Sequence, residues 1–382
     1  MKKLFLFFLI FFLSPIILSI ILLRPIILIR FGNLSIDRIG RVFDLEAYCN
    51  EKKENSFDVW YAGKNVSNYF LLKIYRRNLF VLRNIDFILK IFEALSKYFK
   101  FLNIHLIENS KILRNKKEIY FKKKTKLDLT KQELISGNQI LKRFNIPLNA
   151  KIICFTARDQ KYLKVTQKYK SFSYHSFRNS KIDNFNKFLK IYLKKGFYIF
   201  RMGKIANKKI NFKHPNLIDY PYHQMKSDFM DFFLAKKCYL WIGSNSGVDM
   251  LAFLFKKPLL ILNMSPIGFA PFNREKTLIS FKKFFYKKSK KKLKLKNIFE
   301  KKIFFTTNGQ SYNKKKIKLR ELNQREILNN VNFLLNLINN NWKLNKKERD
   351  YQFKIKKELK KYFYLYNNKD LNISKKFIIY NL

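Results

Sequence analysis

The chain has 382 residues, of which 47% are hydrophobic, so it is large enough for two domains with cores of their own and is not a disordered polyanion-binding tail. Its 80 Lys and Arg against 26 Asp and Glu give a formal net charge of +54 at pH 7. We attribute most of this charge to codon bias, because Lys, Asn, Ile and Phe share A/T-rich codons and are enriched together, and the rest to attraction for anionic lipid or phosphorylated ligands.

Residues 4–23 form an almost unbroken apolar segment, which at about 20 residues is long enough to cross a bilayer. A secretory signal peptide is one alternative, but no small-x-small cleavage site follows the segment. An in-plane or re-entrant hairpin is another, because Pro15 and Pro25 can bend the chain. Basic residues after the segment outnumber those before it, which predicts that the following domains face the cytoplasm.

The sequence after the apolar segment predicts a first α/β lobe. Residues 25–32 and 57–62 are typical of short buried strands. The loop after the first of them carries residues 37–41. Within that loop Asp37 is a candidate general base, and an ion pair with a neighbouring arginine is the alternative.

A clearer alternation of strands and helices follows in the second half of the chain. Strands are predicted at residues 151–156, 197–201, 239–242 and 259–262, and helices at residues 179–195, 228–236, 248–255 and 322–344. Gly196 is expected to end the first of these helices, and Ser227 to cap the second. The Lys-rich residues 282–296 are predicted to form either a solvated surface loop or a contact with anionic lipid headgroups.

Polar residues follow three of the predicted strands, namely Arg158 with Asp159, Arg201 with Gly203, and residues 244–247. Parallel strands bring such ends to one edge of a sheet, where ligands of open α/β sheets bind. Guanidinium groups are bidentate phosphate donors, and a small polar turn can present backbone N–H groups where a helix begins. The set predicts a diphosphate pocket, which Arg178 and Asn179 would join. The alternatives are that each arginine forms a salt bridge and that the turn binds nothing.

The remaining candidates each have an ordinary structural alternative. Ser227 and Asp228 fit a helix N-cap as well as a nucleotide or sugar contact. Asp159 is a second candidate general base, or else the partner of an arginine. The sequence has no Asp-x-Asp pair, no Walker loop and no Gly-x-Gly-x-x-Gly, and its three cysteines and four histidines lack metal-ligand spacing. We therefore predict neither a metal ion nor a bound cofactor.

Five short motifs resemble, in order, those of a family of bacterial glycosyltransferases linked to surface polysaccharide synthesis: residues 154–159, 177–180, 201–203, 227–231 and 242–247. Residues 38–40 and 263–266 also look like this family, so the resemblance covers most of residues 38–330. More distantly, the turn at residues 243–247 is similar to the donor side of heptosyltransferases. Arg158 is similar to the arginine that fucosyltransferases place on the donor diphosphate.

The resemblance implies a GT-B-like α/β fold with two Rossmann-like lobes that face a cleft, and the apolar segment predicts an N-terminal membrane helix before them. We therefore predict a membrane anchor (residues 1–24), an acceptor-side lobe (25–148), a donor lobe (149–320) and C-terminal helices with a tail (321–382). The implied reaction is a metal-independent transfer of a hexosyl or deoxyhexosyl unit from a nucleotide-sugar to a cell-surface glycan or lipid-linked acceptor. The apolar segment, its basic flank and the net charge predict a location on the cytoplasmic side of a bacterial inner membrane, at an anionic membrane surface.

The implied donor contacts are Arg158, Arg178, Asn179, Arg201, Gly203, Ser227, Asp228, Ser244, Asn245, Ser246 and Gly247, and the implied acceptor contacts are Arg38, Gly40 and Arg41. The chain departs from the family where Arg41 and Thr156 replace histidines that are frequent there, which removes two bases. A membrane-bound protein that binds a nucleotide-sugar or glycan without turnover is therefore the second hypothesis. A basic lipid-surface or nucleic-acid-binding protein is the third, although the sequence has no named nucleic-acid motif and no specific nucleic-acid partner is predicted.

Overall fold

The structure, a computed structural model, describes residues 2–51, 55–83, 87–107, 125–166, 171–364 and 373–382. It is an α/β protein with parallel sheets, as predicted. The chain divides into two compact units, Met1–Leu129 and Thr130–Leu382. The four-part division and the cleft implied by the resemblance stay predictions.

The first unit is built on a small parallel sheet. Its strands are β1 (Leu28–Asn33), β2 (Ser56–Ala62) and β3 (Phe80–Arg83), and its helices are α1 (Lys2–Leu22), α2 (Val42–Glu51), α3 (Tyr69–Asn78) and α4 (Phe87–Leu95). The strands pair in the order β1-β2-β3, with Val59 of β2 between Phe31 and Phe80. Both strands predicted for this part of the chain are confirmed. The third strand escaped prediction because it is short and only half buried.

The structure does not support the membrane-spanning helix that was predicted for the apolar N-terminal segment. Among the described residues, no helix combines the length and the hydropathy needed to cross a bilayer. Instead, Ile17 and Ile20 of α1 are buried in a cluster that also contains Phe31 and Phe92. Part of the basic flank is likewise internal, since the guanidinium of Arg30 donates two bonds of 2.7 Å to the carboxylate of Asp58.

The second unit contains a seven-stranded parallel sheet in the order β12-β9-β8-β7-β4-β5-β6. These strands are β4 (Ile152–Phe155), β5 (Tyr198–Arg201), β6 (Leu217–Asp219), β7 (Leu240–Gly243), β8 (Leu259–Met264), β9 (Thr277–Phe281) and β12 (Phe377–Asn381). Two further strands, β10 (Lys283–Tyr286) and β11 (Ile317–Arg320), form a separate antiparallel pair. All four residues of β4 and of β7 are buried, which explains their unbroken apolar sequences.

The helices of this unit are α5 (Lys131–Arg143), α6 (Lys161–Thr166), α7 (Asn186–Lys194), α8 (Asp228–Lys237), α9 (Met250–Leu254), α10 (Leu295–Glu300), α11 (Gly309–Lys314), α12 (Gln324–Asn339) and α13 (Lys346–Tyr364). Leu189 of α7 and Val331 of α12 belong to the core cluster that also contains Ile153 and Ile242 of the sheet. The sheet and the helices thus share one core, which fixes the positions of the strand ends.

Several predicted elements differ in detail from the structure. The helix predicted at residues 179–195 starts only at Asn186, after a 3₁₀ turn, and is followed by Gly196 with a φ of 81° as expected. The prediction of residues 282–296 as a surface loop is wrong in part, because β10 pairs with β11 there. Residues 321–382 were predicted to form helices with a tail, yet they also supply β12 at the edge of the large sheet.

Candidate functional site

The order of strands in the second unit places a crevice between β4 and β7. From β4 the chain proceeds outward to β5 and β6, and it then returns to the other side of β4 to form β7. Loops that leave β4 and β7 therefore diverge in opposite directions, which opens space at the carboxyl ends of these two strands. Residues 156–160 and 244–247 occupy these ends. The sequence had singled out both segments.

A buried carboxylate, Asp249, ties the two loops together. Its Oδ1 accepts hydrogen bonds of 2.9 Å from Thr156 Oγ1 and 2.9 Å from Trp241 Nε1, and its Oδ2 accepts one of 2.7 Å from the backbone N–H of Ser246. Asp249 is the third residue after the helix cap Ser246 and completes a capping box with it. Burial raises the pKa of Asp249, against the opposing effect of these donors.

The same network explains two sequence features of the turn. A Cβ on Gly243 would lie 2.7 Å from the carboxyl carbon of Asp249, so the strand end needs a glycine. The backbone N–H of Ser244 donates to Thr156 Oγ1 at 3.0 Å, and that of Arg158 donates to Ser244 Oγ at 2.7 Å. Thr156 and Ser244 are therefore occupied within the protein and hold the two loops in register.

The expectation of an open helix N-terminus needs correction. Of the backbone N–H groups in the turn, those of Ser244 and Ser246 already have protein acceptors. In the described part of the chain, the backbone N–H groups of Gly247 and Val248 have no protein acceptor. The turn thus offers fewer donors to an anion than its sequence suggests, and side chains must supply most of the positive charge.

Two arginines supply that charge. Arg178 donates from Nη2 to the backbone oxygen and to Oδ1 of Asn245, both at 2.9 Å. Arg158 donates from Nη1 to Asn179 Oδ1 at 3.3 Å and to the carbonyl of His175 at 3.4 Å, which are long for such bonds. Neither guanidinium forms an ion pair with any residue that the structure describes. Buried Nε of Arg178 also has no acceptor among those residues.

These two cations lie close together and are partly shielded from water. Burial lowers the pKa of Arg158 to about 9, and the nearby charge of Arg178 acts in the same direction. Burial likewise lowers the pKa of Arg178. Both side chains stay charged at neutral pH, so an anion placed between the loops would relieve their mutual repulsion and regain lost solvation.

The left-handed backbone of Asn245 shapes the turn between these arginines. Asn245 has a φ of 61°, a conformation that Asn tolerates better than most residues. Its side-chain amide donates to the carbonyl of Ser265 at 2.9 Å, so it connects the turn after β7 to the loop after β8. Asn245 therefore positions Arg178 while itself being held from the other side.

Sequence reasoning missed a third cation, Lys282. Its ammonium donates to the carbonyl of Asn179 at 2.5 Å and lies 3.8 Å from a carboxylate oxygen of Glu321. Burial lowers the pKa of Lys282 to about 8, and the charge of Arg158 adds to this shift. Lys282 stands at the start of a Lys-rich segment, which hid it among surface lysines. Its position after buried β9 is the signal that could have distinguished it.

Arg201 does not join the predicted pocket. Its side chain is only 2% exposed, and it donates to the carbonyl of Lys208 at 2.6 Å and to the carboxylate of Asp219 at 3.3 Å. These bonds within the protein occupy the guanidinium of Arg201, which argues against the predicted contact with a diphosphate. Gly203 follows β5 with a φ of 138°, so its backbone conformation already accounts for the glycine.

Ser227 has the ordinary role of a helix cap. Its hydroxyl accepts from the backbone N–H of Met230 at 3.2 Å, which confirms it as the residue that begins α8. The adjacent Asp228 lies 3.2 Å from the ammonium of Lys204. A nucleotide or sugar contact by either residue stays a prediction.

The two candidate bases lie in different units. Asp159 accepts from the backbone N–H of Lys161 at 2.8 Å and, through its other oxygen, from that of Asn207 at 2.9 Å. Both of its oxygens therefore stabilise turns. Asp37 is in the first unit, where it lies 3.6 Å from Nε of Arg38, as the structural alternative anticipated. Neither arrangement identifies a base.

The predicted acceptor residues Arg38, Gly40 and Arg41 lie between β1 and α2. Gly40 belongs to a 3₁₀ turn at residues 39–41. Arg41 donates to the hydroxyl of Ser35 at 2.7 Å, whereas the side chain of Arg38 is exposed. Their role toward an acceptor stays a prediction.

No protein-family model matches the chain, and no curated protein is significantly similar. Among solved structures, it is similar to ADP-heptose lipopolysaccharide heptosyltransferase II of E. coli, with 11% identity, a TM-score of 0.44, and 80% of this chain and 98% of that chain covered. It is also similar to a family 9 glycosyl transferase of Veillonella parvula, with 9% identity, a TM-score of 0.47, and 81% and 97% covered.

A UDP-GlcNAc 2-epimerase of Methanocaldococcus jannaschii is a third neighbour, with 12% identity, a TM-score of 0.32, and 80% of this chain and 98% of that chain covered. The first two neighbours are glycosyltransferases of the kind that the sequence resembles. Identities this low and TM-scores below 0.5 assign no reaction to this chain.

Proposed function

We propose that the chain is a glycosyltransferase that binds the diphosphate of a nucleotide-sugar at the carboxyl ends of β4 and β7. The observation that carries this proposal is the pair Arg158 and Arg178, two partly buried guanidinium groups without a carboxylate partner in the described residues. A diphosphate is the ligand that such a pair suits best, since each guanidinium can give two parallel N–H···O bonds to phosphate oxygens.

The same groups would assist the chemistry. When the bond between the sugar and the nucleoside diphosphate breaks, negative charge develops on the leaving diphosphate. Arg158 and Arg178 are fixed cations in a partly desolvated site, so they stabilise that charge without rearrangement of solvent. Asn245 would hold Arg178 in position through its two bonds of 2.9 Å. The acceptor, a cell-surface glycan or a lipid-linked sugar, would contact Arg38 to Arg41.

A transfer assay tests this proposal directly. We expect release of a nucleoside diphosphate from at least one nucleotide-sugar of the hexosyl or deoxyhexosyl type when a bacterial glycan or glycolipid fraction is supplied. Arg158→Ala should abolish that release. If Arg158→Ala still releases the nucleoside diphosphate at the wild-type rate, the proposed site is wrong.

A nucleotide-sugar-binding protein without turnover is the second candidate, and a specific observation favours it. The carboxylates of the two loops are engaged within the protein, because Asp159 and Asp249 both accept internal hydrogen bonds, and Thr156 is bound to Asp249. Saturable binding of a nucleotide-sugar together with no release of nucleoside diphosphate would establish this candidate.

Binding is expected to survive removal of divalent metal ions. Arginines would carry the charge that a metal ion supplies in other transferases, and the described residues contain no cluster of three or more His, Cys, Asp or Glu able to hold an ion. Titration calorimetry with a nucleotide-sugar in the presence and absence of EDTA should give equal affinities. Loss of binding in EDTA and its recovery with Mn²⁺ or Mg²⁺ would refute the arginine-based site.

Affinity for a nucleoside diphosphate is expected to fall as the pH rises above about 8. Because the pKa of Lys282 is lowered to about 8 in the free protein, its ammonium begins to lose its proton there. A bound anion favours the charged form, so the complex takes up a proton that the free protein lacks. Affinity should then decrease by up to about tenfold per pH unit above that pKa.

Lys282→Met should lower the affinity and remove the decrease that begins near pH 8, so that the remaining pH dependence comes from Arg158, whose pKa is about 9. The exposed Lys288 is the matched control, and Lys288→Met should keep the wild-type profile. The profile is measured by titration calorimetry in buffers of equal ionic strength. A profile that Lys282→Met does not alter would remove Lys282 from the site.

We further propose that the protein works at an anionic membrane surface on the cytoplasmic side of a bacterial inner membrane. Its three cysteines, Cys49, Cys154 and Cys238, are free thiols, which suits a reducing compartment. The net charge of +54 favours anionic lipid.

A further inference from the structure

The exposed side of α1 is the most unusual surface of the first unit. One side of the helix, with Ile17 and Ile20, packs into the core of that unit. The opposite side is also apolar, and it leaves Phe12 74% and Phe11 68% exposed. Further exposed apolar side chains extend this surface along the helix and beyond its end: Ile16, Leu18, Leu22, Leu23 and Ile26. A helix that is apolar on all sides is normally covered on all sides.

A second exposed segment lies against the same core. In residues 98–104, Tyr98 is 83% and Phe101 57% exposed, and Phe99 and Ile104 are exposed as well. Leu102 in the middle of this segment is buried in the cluster that contains Ile17 and Ile20. The aromatic segment and α1 are therefore joined through one cluster. We refer to the exposed apolar residues of α1 and of residues 98–104 as the apolar face.

Charge identifies what covers this face. Residues 1–36 and 94–107 contain no Asp or Glu. Basic residues accompany the apolar ones, and Arg24, Lys97 and Lys100 are exposed. A second copy of the chain would bring a like charge of +54 to the contact, whereas an anionic lipid surface offers both an apolar layer and opposite charge.

We infer that the apolar face inserts into the headgroup and upper acyl region of an anionic bilayer. Tyr98 and the phenylalanines would lie at the level where amphipathic and aromatic side chains concentrate, while the basic residues contact lipid phosphates. This inference rests on the part of the proposed function that places the protein at a membrane surface. It does not depend on the nucleotide-sugar site in the second unit.

The inference is tested by sedimentation of the full-length protein with vesicles. The probes are vesicles of phosphatidylcholine alone and vesicles that also contain phosphatidylglycerol. We expect binding to the anionic vesicles, weaker binding at high salt, and little binding to phosphatidylcholine. The double variant Tyr98→Ser/Phe101→Ser should bind anionic vesicles at least about tenfold more weakly.

The control is Phe353→Ser/Tyr364→Ser, which removes two similarly exposed aromatic side chains from α13 and should bind vesicles like the wild type. Equal melting temperatures of both double variants would show that folding is intact. Unchanged vesicle binding of Tyr98→Ser/Phe101→Ser would overturn the inference, as would equal binding to both kinds of vesicle. A stable dimer in lipid-free solution that this variant dissociates would overturn it too, because a second copy would then cover the face.

Nucleotide-sugar binding without lipid is measured on the same proteins to separate the two proposals. We expect the Tyr98→Ser/Phe101→Ser variant to bind nucleotide-sugar like the wild type. If the wild type binds anionic vesicles through this face but binds no nucleotide-sugar, the glycosyltransferase proposal fails and the membrane surface stands. The reverse pattern overturns the membrane surface alone.

Discussion

Replacement of Arg158 by alanine is expected to weaken nucleotide-sugar binding about ten- to a hundred-fold while leaving the melting temperature of the unliganded protein nearly unchanged. The structural reason lies in the poor internal bonds of this guanidinium, which are 3.3 and 3.4 Å long and reach no carboxylate in the described residues. Removal of the side chain also removes a charge that burial disfavours, as its pKa of about 9 indicates. Little folding energy is therefore lost, whereas a charge-assisted bond to phosphate is worth roughly 1.5–3 kcal/mol.

Two further variants make this test specific. Arg158→Lys keeps a positive charge but loses the planar fork, so we expect it to bind nucleotide-sugar more weakly than the wild type as well. Arg325→Ala removes an exposed arginine from α12 and should change neither affinity nor stability. Affinity is measured by titration calorimetry and stability by thermal melting. If Arg158→Ala lowers the melting temperature and leaves affinity unchanged, Arg158 is a structural residue.

Replacement of Asp249 by alanine is expected to have the opposite signature, with a large loss of stability. It removes the carboxylate that accepts from three donors, namely the buried hydroxyl of Thr156, the buried indole N–H of Trp241 and the half-buried backbone N–H of Ser246. Leaving a donor without its acceptor costs about 1–3 kcal/mol, so the free energy of unfolding should fall by about 3 kcal/mol or more. For a unit of this size, that corresponds to a melting temperature lower by about 6–12 °C.

The control for this variant is Asp350→Ala, which removes an exposed carboxylate from α13 and should leave the melting temperature unchanged. Asp249→Asn retains the shape and one acceptor oxygen, so we expect an intermediate loss. An Asp249→Ala protein that melts like the wild type and no longer binds nucleotide-sugar would contradict this account. Asp249 would then act on the ligand itself instead of holding the two loops.

The elements that form the site could be predicted from sequence because their signals are local. The strands β4 and β7 are short apolar runs, and small or polar residues follow each of them at once. Since ligands bind at the carboxyl ends of parallel strands, Arg158 and Ser244 could be placed near each other without coordinates, and their atoms are 2.7 Å apart. Ser227 as a helix cap was predictable for the same local reason.

What could not be predicted depends on partners distant in sequence. Arg201 looked like a ligand residue until its carboxylate partner Asp219 appeared on the neighbouring strand. Lys282 looked like one lysine of a charged surface loop until it was found buried beside Glu321. The apolar N-terminal segment looked like a membrane span because hydropathy alone does not distinguish lipid from the protein core that buries Ile17 and Ile20. In each case the outcome depended on a tertiary contact that the local sequence does not show.

The most direct test of the central claim is a thermal-melting screen of the lipid-free, full-length protein against a panel of nucleotide-sugars, with the matching nucleosides that lack phosphates as controls. A ligand that binds only the native state at about a hundred times its Kd stabilises it by about 2.7 kcal/mol. We predict that at least one nucleotide-sugar raises the melting temperature of the wild type, that its nucleoside does not, and that the same concentration stabilises Arg158→Ala by about half as much or less. A panel without any shift, together with polynucleotide binding that weakens steeply with salt, would contradict the account and identify a polyanion-binding protein.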